Sequence, residues 1–241
     1  MTSQKQRRAL ITGASSGIGK ATALAFAQAG IDVALVSRSQ DKLEAIATMA
    51  RDAGVEAKAY PLDLAKMEQV KSGISAIATD FAPLDILVNN AGMGYTNPLI
   101  ETSLSDWQRV IDLNLTSVFQ CILGVLPAMR QQQRGTIINV ASIAGQQPFP
   151  HWGAYSVSKA GLIALSKTLA AEERPHGIRV VTLCPGAVNT PIWDTGTVQV
   201  DLNRSAMLTP EIVAQSILHA VMMPEQAVID SVTLMPSAGA L

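Results

Sequence analysis

The sequence predicts a doubly wound α/β domain, in which helices cover both faces of a parallel sheet. Two observations predict this fold. Short, continuous apolar runs alternate with helix-forming segments along the chain, and a glycine-rich turn separates the first run from the first helix. The chain of 241 residues shows neither a low-complexity linker nor an internal repeat, so we assign 1–241 to a single domain.

The apolar runs predict strands, and the segments between them predict helices. We expect strands at 9–11, 31–37, 55–60, 86–88, 136–140, 179–183 and 228–234. We expect helices at 19–29, 41–53, 67–79, 105–130, 155–173 and 211–222, the last with Thr209 as N-cap and Pro210 in its first turn. The stretch 191–207 has no clear periodicity, which predicts a flexible loop over the site.

Composition and charge exclude several classes of protein. The net charge is −1 and basic residues form no run beyond the start of the chain, so we expect no nucleic-acid partner. No uncharged apolar run has the length of a membrane span and no secretory signal is recognised, which predicts a soluble, cytoplasmic protein without membrane contact. The spacing of Cys121 and Cys184 matches no metal or redox motif, so we expect reduced thiols and no bound metal.

The glycine-rich turn has the pattern Gly13-x3-Gly17-x-Gly19. Glycine permits a sharp turn and a close approach of the backbone to a pyrophosphate, and the following helix offers free N–H groups and the positive end of its dipole. We therefore predict that this turn, which includes Ser15, Ser16 and Ile18, binds a dinucleotide. A plain tight turn is the alternative, and the position after the first strand of an alternating chain argues against it.

Further motifs follow in a characteristic order. They are Asn89-Asn90-Ala91-Gly92 after the fourth predicted strand, Asn114 in the long helix, Ser142 after the fifth strand, Tyr155-x3-Lys159 in the next helix, and Cys184-Pro185-Gly186 before Thr190. With the glycine turn, this set resembles the short-chain dehydrogenase/reductase family, closely over 7–191 and loosely beyond. The resemblance implies a Rossmann-type fold and an oxidoreductase that transfers hydride between a nicotinamide cofactor and a carbonyl or alcohol.

The end of the second predicted strand indicates which cofactor is bound. An acidic residue there would accept hydrogen bonds from the ribose hydroxyls and favour NAD. Ser37 and Arg38 stand there instead, and the Arg38 guanidinium can bind a 2′-phosphate, which predicts NADPH/NADP+. The alternative is that Arg38 is a solvated surface residue. Some NADP-using relatives also carry a basic residue within the glycine turn, which this chain lacks.

The resemblance implies the rest of the cofactor site. Asp63 would contact the adenine amino group and Leu64 would line the adenine pocket, although Asp63 could equally be a helix N-cap. The other implied cofactor contacts come from two segments, Asn90, Ala91 and Gly92 in the first and Pro185, Gly186, Val188 and Thr190 in the second. In the second segment, Val188 and Thr190 would hold the nicotinamide carboxamide, and a structural turn at Pro185-Gly186 is compatible with that role.

The predicted catalytic residues are Asn114, Ser142, Tyr155 and Lys159. Tyr155 and Lys159 are four residues apart, which places them on one face of a helix. A nearby ammonium favours the phenolate, so we expect the Tyr155 pKa to be lowered. Tyr155 would then donate a proton to the developing alkoxide, while Ser142 would hold the carbonyl oxygen. By resemblance, Lys159 would contact the nicotinamide ribose and Asn114 would hold a water in a proton relay.

The residues around Tyr155 suggest a substrate pocket formed by Gln146, Phe149, His151, Trp152 and Trp193. We expect a small-molecule ketone or aldehyde, or the corresponding alcohol, as substrate. A 3-oxoacyl-[acyl-carrier-protein] reductase is the alternative, and it would require a basic rim, for which Arg130, Arg134 and Arg174 are candidates. A non-catalytic NADPH-binding sensor or scaffold is a further alternative. The resemblance and the low content of charged residues, 15%, predict a homo-oligomer, specifically a tetramer.

Overall fold

A parallel sheet forms the centre of the protein in the computed structural model, which describes residues 6–200 and 203–239. Within these residues the sheet has seven strands in the spatial order β3-β2-β1-β4-β5-β6-β7. The strands are β1 (Arg8–Thr12), β2 (Asp32–Ser37), β3 (Ala57–Pro61), β4 (Ile86–Asn89), β5 (Gly135–Val140), β6 (Ile178–Pro185) and β7 (Ser231–Leu234). All pairings are parallel, which confirms the predicted doubly wound sheet.

Helices cover both faces of the sheet. They are α1 (Gly17–Gln28), α2 (Gln40–Asp52), α3 (Met67–Asp80), α4 (Leu104–Ile111), α5 (Ser117–Gln132), α6 (Gly153–Glu173) and α7 (Pro210–Met222). Residues of α1, α2 and α7 form one apolar core with Ile11, and residues of α3, α5 and α6 form the other with Leu10. Successive side chains of a strand point to opposite faces of the sheet. Because helices cover both faces, the side chains on both sides of β1 are buried, and the strand therefore needs a continuous apolar sequence.

The predicted cap of the last helix is confirmed. The Thr209 hydroxyl accepts a hydrogen bond from the amide of Ile212, and Pro210 occupies the first turn of α7. Strand β7 begins at Ser231, later than the predicted 228.

The prediction of one continuous helix at 105–130 is wrong in one respect. A π-helical turn at Asp112–Thr116 separates α4 from α5. The side-chain amide of Asn114 forms two hydrogen bonds with the main chain of Met93, one as acceptor and one as donor. The Ser117 hydroxyl donates to the Leu113 carbonyl oxygen. These bonds tie the turn to the loop after β4, and π-helical turns within α-helices are frequent at functional sites.

The helical stretch Leu104–Gln132 is long and apolar enough to cross a membrane by length and composition. Half of its most apolar part is buried inside the protein, where α5 packs in the core that it shares with α3 and α6. Its apolar composition is therefore explained by the fold. The charged residues Asp106, Arg109, Asp112 and Arg130 interrupt this stretch, so it does not contradict the expectation about uncharged apolar runs.

The strand order fixes where a ligand can bind. The chain builds β1, β2 and β3 toward one edge, then crosses to β4 on the other side of β1 and continues to β7. The loops after β1 and β4 therefore diverge at the carboxyl ends of the strands and leave a crevice, which is where doubly wound sheets bind ligands.

Candidate active site

A cavity of about 880 Å³ opens at this crevice. Its wall contains nearly all of the predicted cofactor residues: Gly13, Ser15, Ser16, Gly17, Ile18, Ser37, Arg38, Asp63, Leu64, Asn90, Ala91, Gly92, Tyr155, Lys159, Pro185, Gly186, Val188 and Thr190. The exception is Gly19, which lies buried behind the turn. The motifs read from the sequence therefore converge on one continuous surface.

The glycine turn is shaped by backbone conformation and by close packing. Gly13 and Gly17 have φ values of 66° and 52°, a region that favours glycine. A Cβ on Gly19 would lie 2.3 Å from the Gly13 carbonyl oxygen, so only glycine fits there. Asn90 holds the turn from the other side, since its side-chain amide donates to the carbonyl oxygens of Thr12 and Gly13 at 3.0 and 3.3 Å.

The N-terminus of α1 is suited to a pyrophosphate. Ser16 occupies the N-cap position, but its side chain does not cap the helix. The first amides of α1 are thus left without a capping side chain beside the cavity wall, where an anion can bind to them. This arrangement fits the phosphates of a dinucleotide.

The part of the cavity where the 2′-phosphate is predicted to bind has a second basic residue that the sequence reasoning missed. Lys42, in the first turn of α2, lines the cavity together with Ser37, Arg38 and Ser39. Its place in the first turn of the helix after the second strand, close in sequence to Arg38, is the signal that could have identified it. Lys42 supplies a positive charge that the glycine turn lacks, so the departure noted in that turn does not weaken the NADP prediction.

Three predicted catalytic side chains meet in the middle of the cavity. Ser142 follows β5, its hydroxyl accepts from the Ala144 amide at 3.1 Å, and it lines the same cavity as the Tyr155 phenol. The Lys159 ammonium donates to the Val140 carbonyl oxygen at 2.9 Å and lies 5.8 Å from the centre of the Tyr155 ring. Ser142 and Lys159 therefore reach Tyr155 from two sides.

Burial dominates the acid–base properties of this group. It raises the pKa of the Tyr155 phenol, and the hydrogen bond with Ser142 only partly opposes that shift. Burial also lowers the pKa of Lys159 to about 8. The expected lowering of the Tyr155 pKa is thus not found in the cofactor-free protein, because desolvation of the phenolate outweighs the opposing effect of Ser142.

Asn114 is buried and does not line the cavity. Its side-chain oxygen accepts from the Met93 amide at 2.8 Å, and its side-chain nitrogen donates to the Met93 carbonyl and the Ser158 hydroxyl at 3.0 and 3.1 Å. A Cβ on Gly92 would lie 3.0 Å from the Asn114 side-chain oxygen and 3.7 Å from the Lys159 ammonium. Asn114 thus anchors the loop beside Lys159, and its role in a water relay stays a prediction.

Aromatic side chains form the substrate side of the cavity. Phe149, Trp152 and Trp193 line it as predicted. The Trp152 ring makes edge contacts with Tyr155 and Trp193, with centroid distances of 5.1 and 5.9 Å. Met235, just after β7, also lines the cavity. Nothing in the sequence after the last strand predicted that Met235 would line the cavity.

Gln146 and His151 are outside the cavity wall. The Gln146 side chain hydrogen-bonds the Thr233 hydroxyl and connects the loop after β5 to β7. His151 is exposed and has a φ of 68°, and its carbonyl oxygen accepts from the Asn97 amide. This conformation turns the chain into α6, so His151 shapes the entry to the helix and its side chain does not contribute to the wall.

We expect the buried Lys159 ammonium to destabilise the cofactor-free protein at neutral pH. Because its folded pKa of about 8 is below the unfolded value of 10.5, the unfolded state binds more protons between these limits. The cost is full below pH 8 and disappears as pH rises toward 10.5, so this group makes stability rise with pH. The full effect is on the order of 3 kcal/mol before any relaxation.

The measurement is the free energy of unfolding of the wild type and of Lys159→Met, both without cofactor, from pH 7 to pH 10. The difference between the two proteins removes the contributions of Tyr155 and the cysteines. Relative to the variant, the wild type should gain stability as pH rises. A constant difference would show that the ammonium is not desolvated.

Comparison with known proteins identifies the family. The family model described as short chain dehydrogenase matches residues 7–199. The chain belongs to the short-chain dehydrogenase family. Among curated proteins, this short-chain dehydrogenase is 42% identical over 183 residues to the 3-oxoacyl-[acyl-carrier-protein] reductase FabG of Staphylococcus epidermidis, covering 76% of this chain and 75% of the relative. It is 41% identical over 196 residues to the corresponding reductase of Synechocystis sp., covering 80% and 79%.

Solved structures of similar proteins contain the phosphorylated cofactor. An alcohol dehydrogenase from the archaeon Thermococcus sibiricus, complexed with 5-hydroxy-NADP, superposes with a TM-score of 0.89 at 30% identity and covers 98% of this chain and 99% of its own. An actinorhodin polyketide ketoreductase variant with NADPH has a TM-score of 0.85 at 30% identity and covers 98% and 97%. This short-chain dehydrogenase is accordingly an NADP(H)-dependent oxidoreductase.

Proposed function

We propose that this short-chain dehydrogenase reduces the carbonyl of a small-molecule ketone or aldehyde to an alcohol, or catalyses the reverse, with Tyr155 as proton donor. The observation that carries the proposal is the position of Tyr155. It lies in one cavity with the basic cluster around Arg38 and with the aromatic wall at Trp152 and Trp193. A cofactor extending from the basic end would bring its reactive end next to a carbonyl held at Tyr155.

The chain's own residues account for the proton and the orientation of the substrate. NADPH supplies the hydride when bound. The Ser142 hydroxyl donates a hydrogen bond to the carbonyl oxygen and holds it beside the Tyr155 phenol. As negative charge develops on that oxygen, Tyr155 gives it a proton, and the Lys159 ammonium stabilises the phenolate that remains. In the oxidative direction the phenolate takes the proton from the alcohol.

The lining of the substrate end supports a small apolar carbonyl compound. Phe149, Trp152, Ile192 and Met235 contribute apolar surface to the cavity that Tyr155 lines, and Trp152 contacts Tyr155 directly. Ser142 and Tyr155 supply the hydroxyl groups that can bind a carbonyl oxygen there. Such a pocket orients one polar group precisely where it reacts and selects the rest of the substrate by shape.

The curated relatives favour a second candidate, a 3-oxoacyl-[acyl-carrier-protein] reductase. That activity needs a basic surface for an acidic carrier protein. Two of the three arginines proposed for it are engaged elsewhere. Arg130 forms a bidentate ion pair with the buried carboxylate of Glu173, and Arg134 pairs with Asp85 at 2.7 Å. Their charge is largely compensated within the chain, which supports the small-molecule candidate.

The deciding experiment is a comparison of substrates by NADPH consumption. The panel contains an acetoacetyl thioester, a β-keto ester, an aromatic ketone or diketone and a short aldehyde. We expect kcat/KM to be highest for a free ketone or aldehyde. A thioester that is turned over well above the others would replace this proposal with the acyl-carrier-protein candidate.

We further propose that the protein is a cytoplasmic homotetramer. The exposed surface of the paired helices carries large apolar side chains, Phe119 on α5 and Val157 on α6. A second copy packing there would remove them from water. Both cysteines are buried free thiols, as in reducing compartments. Sedimentation as a monomer at micromolar concentration would contradict the oligomer.

A further inference from the structure

The described residues of the segment 191–207, which are 191–200 and 203–207, include part of the cavity wall and are bonded to the protein on both sides. On one side, the Thr96 amide donates to the Thr197 carbonyl at 2.9 Å and the Thr197 hydroxyl donates to the Gly94 carbonyl at 2.8 Å. On the other, Leu208, which directly follows the segment, forms an isolated parallel bridge with Val188. The stretch predicted to be a flexible loop is thus attached at both edges of the active site.

Two side chains of this segment reach the backbone at 188–190. The Trp193 indole N–H donates to the Val188 carbonyl oxygen at 2.6 Å. The Arg204 guanidinium donates to the Asn189 side-chain oxygen at 2.8 Å and to the Thr190 carbonyl oxygen at 3.1 Å. We call Trp193 and Arg204 the latch.

The third contact of Arg204 contributes little on its own. It is an ion pair with Asp194 at 3.0 Å, and the Asp194 side chain is 66% exposed. Exposed ion pairs of this kind are weak. The two bonds to Asn189 and Thr190 therefore carry the contact, and the planar guanidinium can make them together because its donors point in fixed directions.

The backbone that the latch holds separates the glycine turn from the aromatic wall. A Cβ on Gly17 would lie 3.0 Å from the Thr190 methyl group, so Thr190 packs against the glycine turn. Trp193 packs edge-on against Trp152, which in turn packs against Tyr155. The latch thus connects Tyr155 to the backbone at 188–190 through a continuous series of contacts.

We propose that Trp193 and Arg204 are positioning residues that hold 188–190 in register with Tyr155 and thereby set the geometry of hydride transfer. This inference rests on the proposed function and on the role proposed for Val188 and Thr190 beside the nicotinamide. A small misplacement of reacting groups is enough to slow a reaction strongly. Loosening the latch should therefore slow the chemical step, while the cofactor stays bound through the glycine turn and Arg38.

The test uses two variants and one control. Trp193→Phe keeps an aromatic ring against Trp152 and removes the N–H, and Arg204→Met removes the guanidinium while keeping a long side chain. Arg51→Met is the matched control, because the Arg51 guanidinium also donates to a main-chain carbonyl oxygen, that of Ala57, and lies outside the cavity wall. The proteins are compared with the best substrate of the panel, using NADPH with and without deuterium at both positions of the nicotinamide C4.

For each latch variant we expect kcat to fall about tenfold, which corresponds to the free energy of one good hydrogen bond. The deuterium isotope effect on kcat should rise, because hydride transfer becomes more fully rate-limiting. The Kd for NADPH should change less than about twofold, the size of a small surface effect, and Tm should be unchanged. An unchanged kcat, or a Kd that weakens as much as kcat with a constant isotope effect, would overturn the proposal.

A second readout separates this proposal from the proposed function. If the wild type turned over no member of the panel, the substrate proposal would fail. The latch would still be tested by hydrogen exchange in the NADPH complex. Exchange is followed at the Thr96 amide, which donates to the Thr197 carbonyl oxygen, and at the Gln199 amide, which donates to the Thr96 hydroxyl. Faster exchange in both latch variants than in Arg51→Met would support the latch, and equal exchange would refute it.

Discussion

Replacing Tyr155 by phenylalanine should lower kcat by a factor on the order of 10³, within the range that general acid catalysis supplies. The substitution removes one oxygen and leaves the ring, so the contact with Trp152 is retained. Without the phenol, the group proposed to give a proton to the alkoxide is missing. The measurement is steady-state NADPH consumption together with titration of NADPH binding.

The binding titration distinguishes loss of catalysis from loss of the site. NADPH should bind Tyr155→Phe nearly as tightly as the wild type, because the glycine turn and the cluster at Arg38 are untouched. Tyr95→Phe is the matched control: Tyr95 is buried, donates only a long 3.4 Å bond to Asp106 and lies outside the cavity wall, so its activity should be unchanged. Persistent turnover in Tyr155→Phe would show that another group is the acid.

Replacing Arg38 by aspartate should reverse the preference between the two nicotinamide cofactors. The guanidinium and its charge are lost, and the new carboxylate repels a 2′-phosphate but accepts hydrogen bonds from ribose hydroxyls. We expect kcat/KM for NADPH to fall about 10²-fold, the value of one or two charged hydrogen bonds. We expect kcat/KM for NADH to rise.

Lys42 supplies the internal comparison for this prediction. Lys42→Gln leaves Arg38 in place and should lower kcat/KM for NADPH only a few-fold. A flexible exposed ammonium contributes less to binding than a guanidinium that can bind a phosphate in a bidentate manner. Both variants should leave kcat with saturating NADPH close to that of the wild type. Equal use of NADPH by Arg38→Asp and the wild type would mean that the 2′-phosphate lies elsewhere.

The sheet and the cofactor site could be predicted because local sequence determines them. Strands buried on both faces require unbroken apolar runs, such as Val33–Val36, and these are visible without knowledge of the fold. Their order then brings Gly13, Asn90, Ser142 and Pro185 to the same edge, since all follow parallel strands. A set of motifs ordered in this way predicts a site even though its members are far apart in sequence.

Other features depend on contacts between distant segments. The break between α4 and α5 reflects bonds from Asn114 to Met93, and the position of Gln146 reflects a bond to Thr233, which is 87 residues away. No periodicity signals such pairs. The direction of the Tyr155 pKa was missed for a similar reason: the sequence shows the neighbouring Lys159, but the degree of burial is a property of the whole fold.

The most direct test of the account follows the hydride and the proton together. The wild type and Tyr155→Phe are incubated with the best ketone of the panel and NADPH carrying deuterium at both C4 positions, and the alcohol is examined by mass spectrometry and NMR. We predict one deuterium on the carbinol carbon of the wild-type product, formed with consumption of one NADPH, and almost no product from the variant. An alcohol without deuterium at that carbon, or equal amounts of product from both proteins, would contradict hydride transfer assisted by Tyr155.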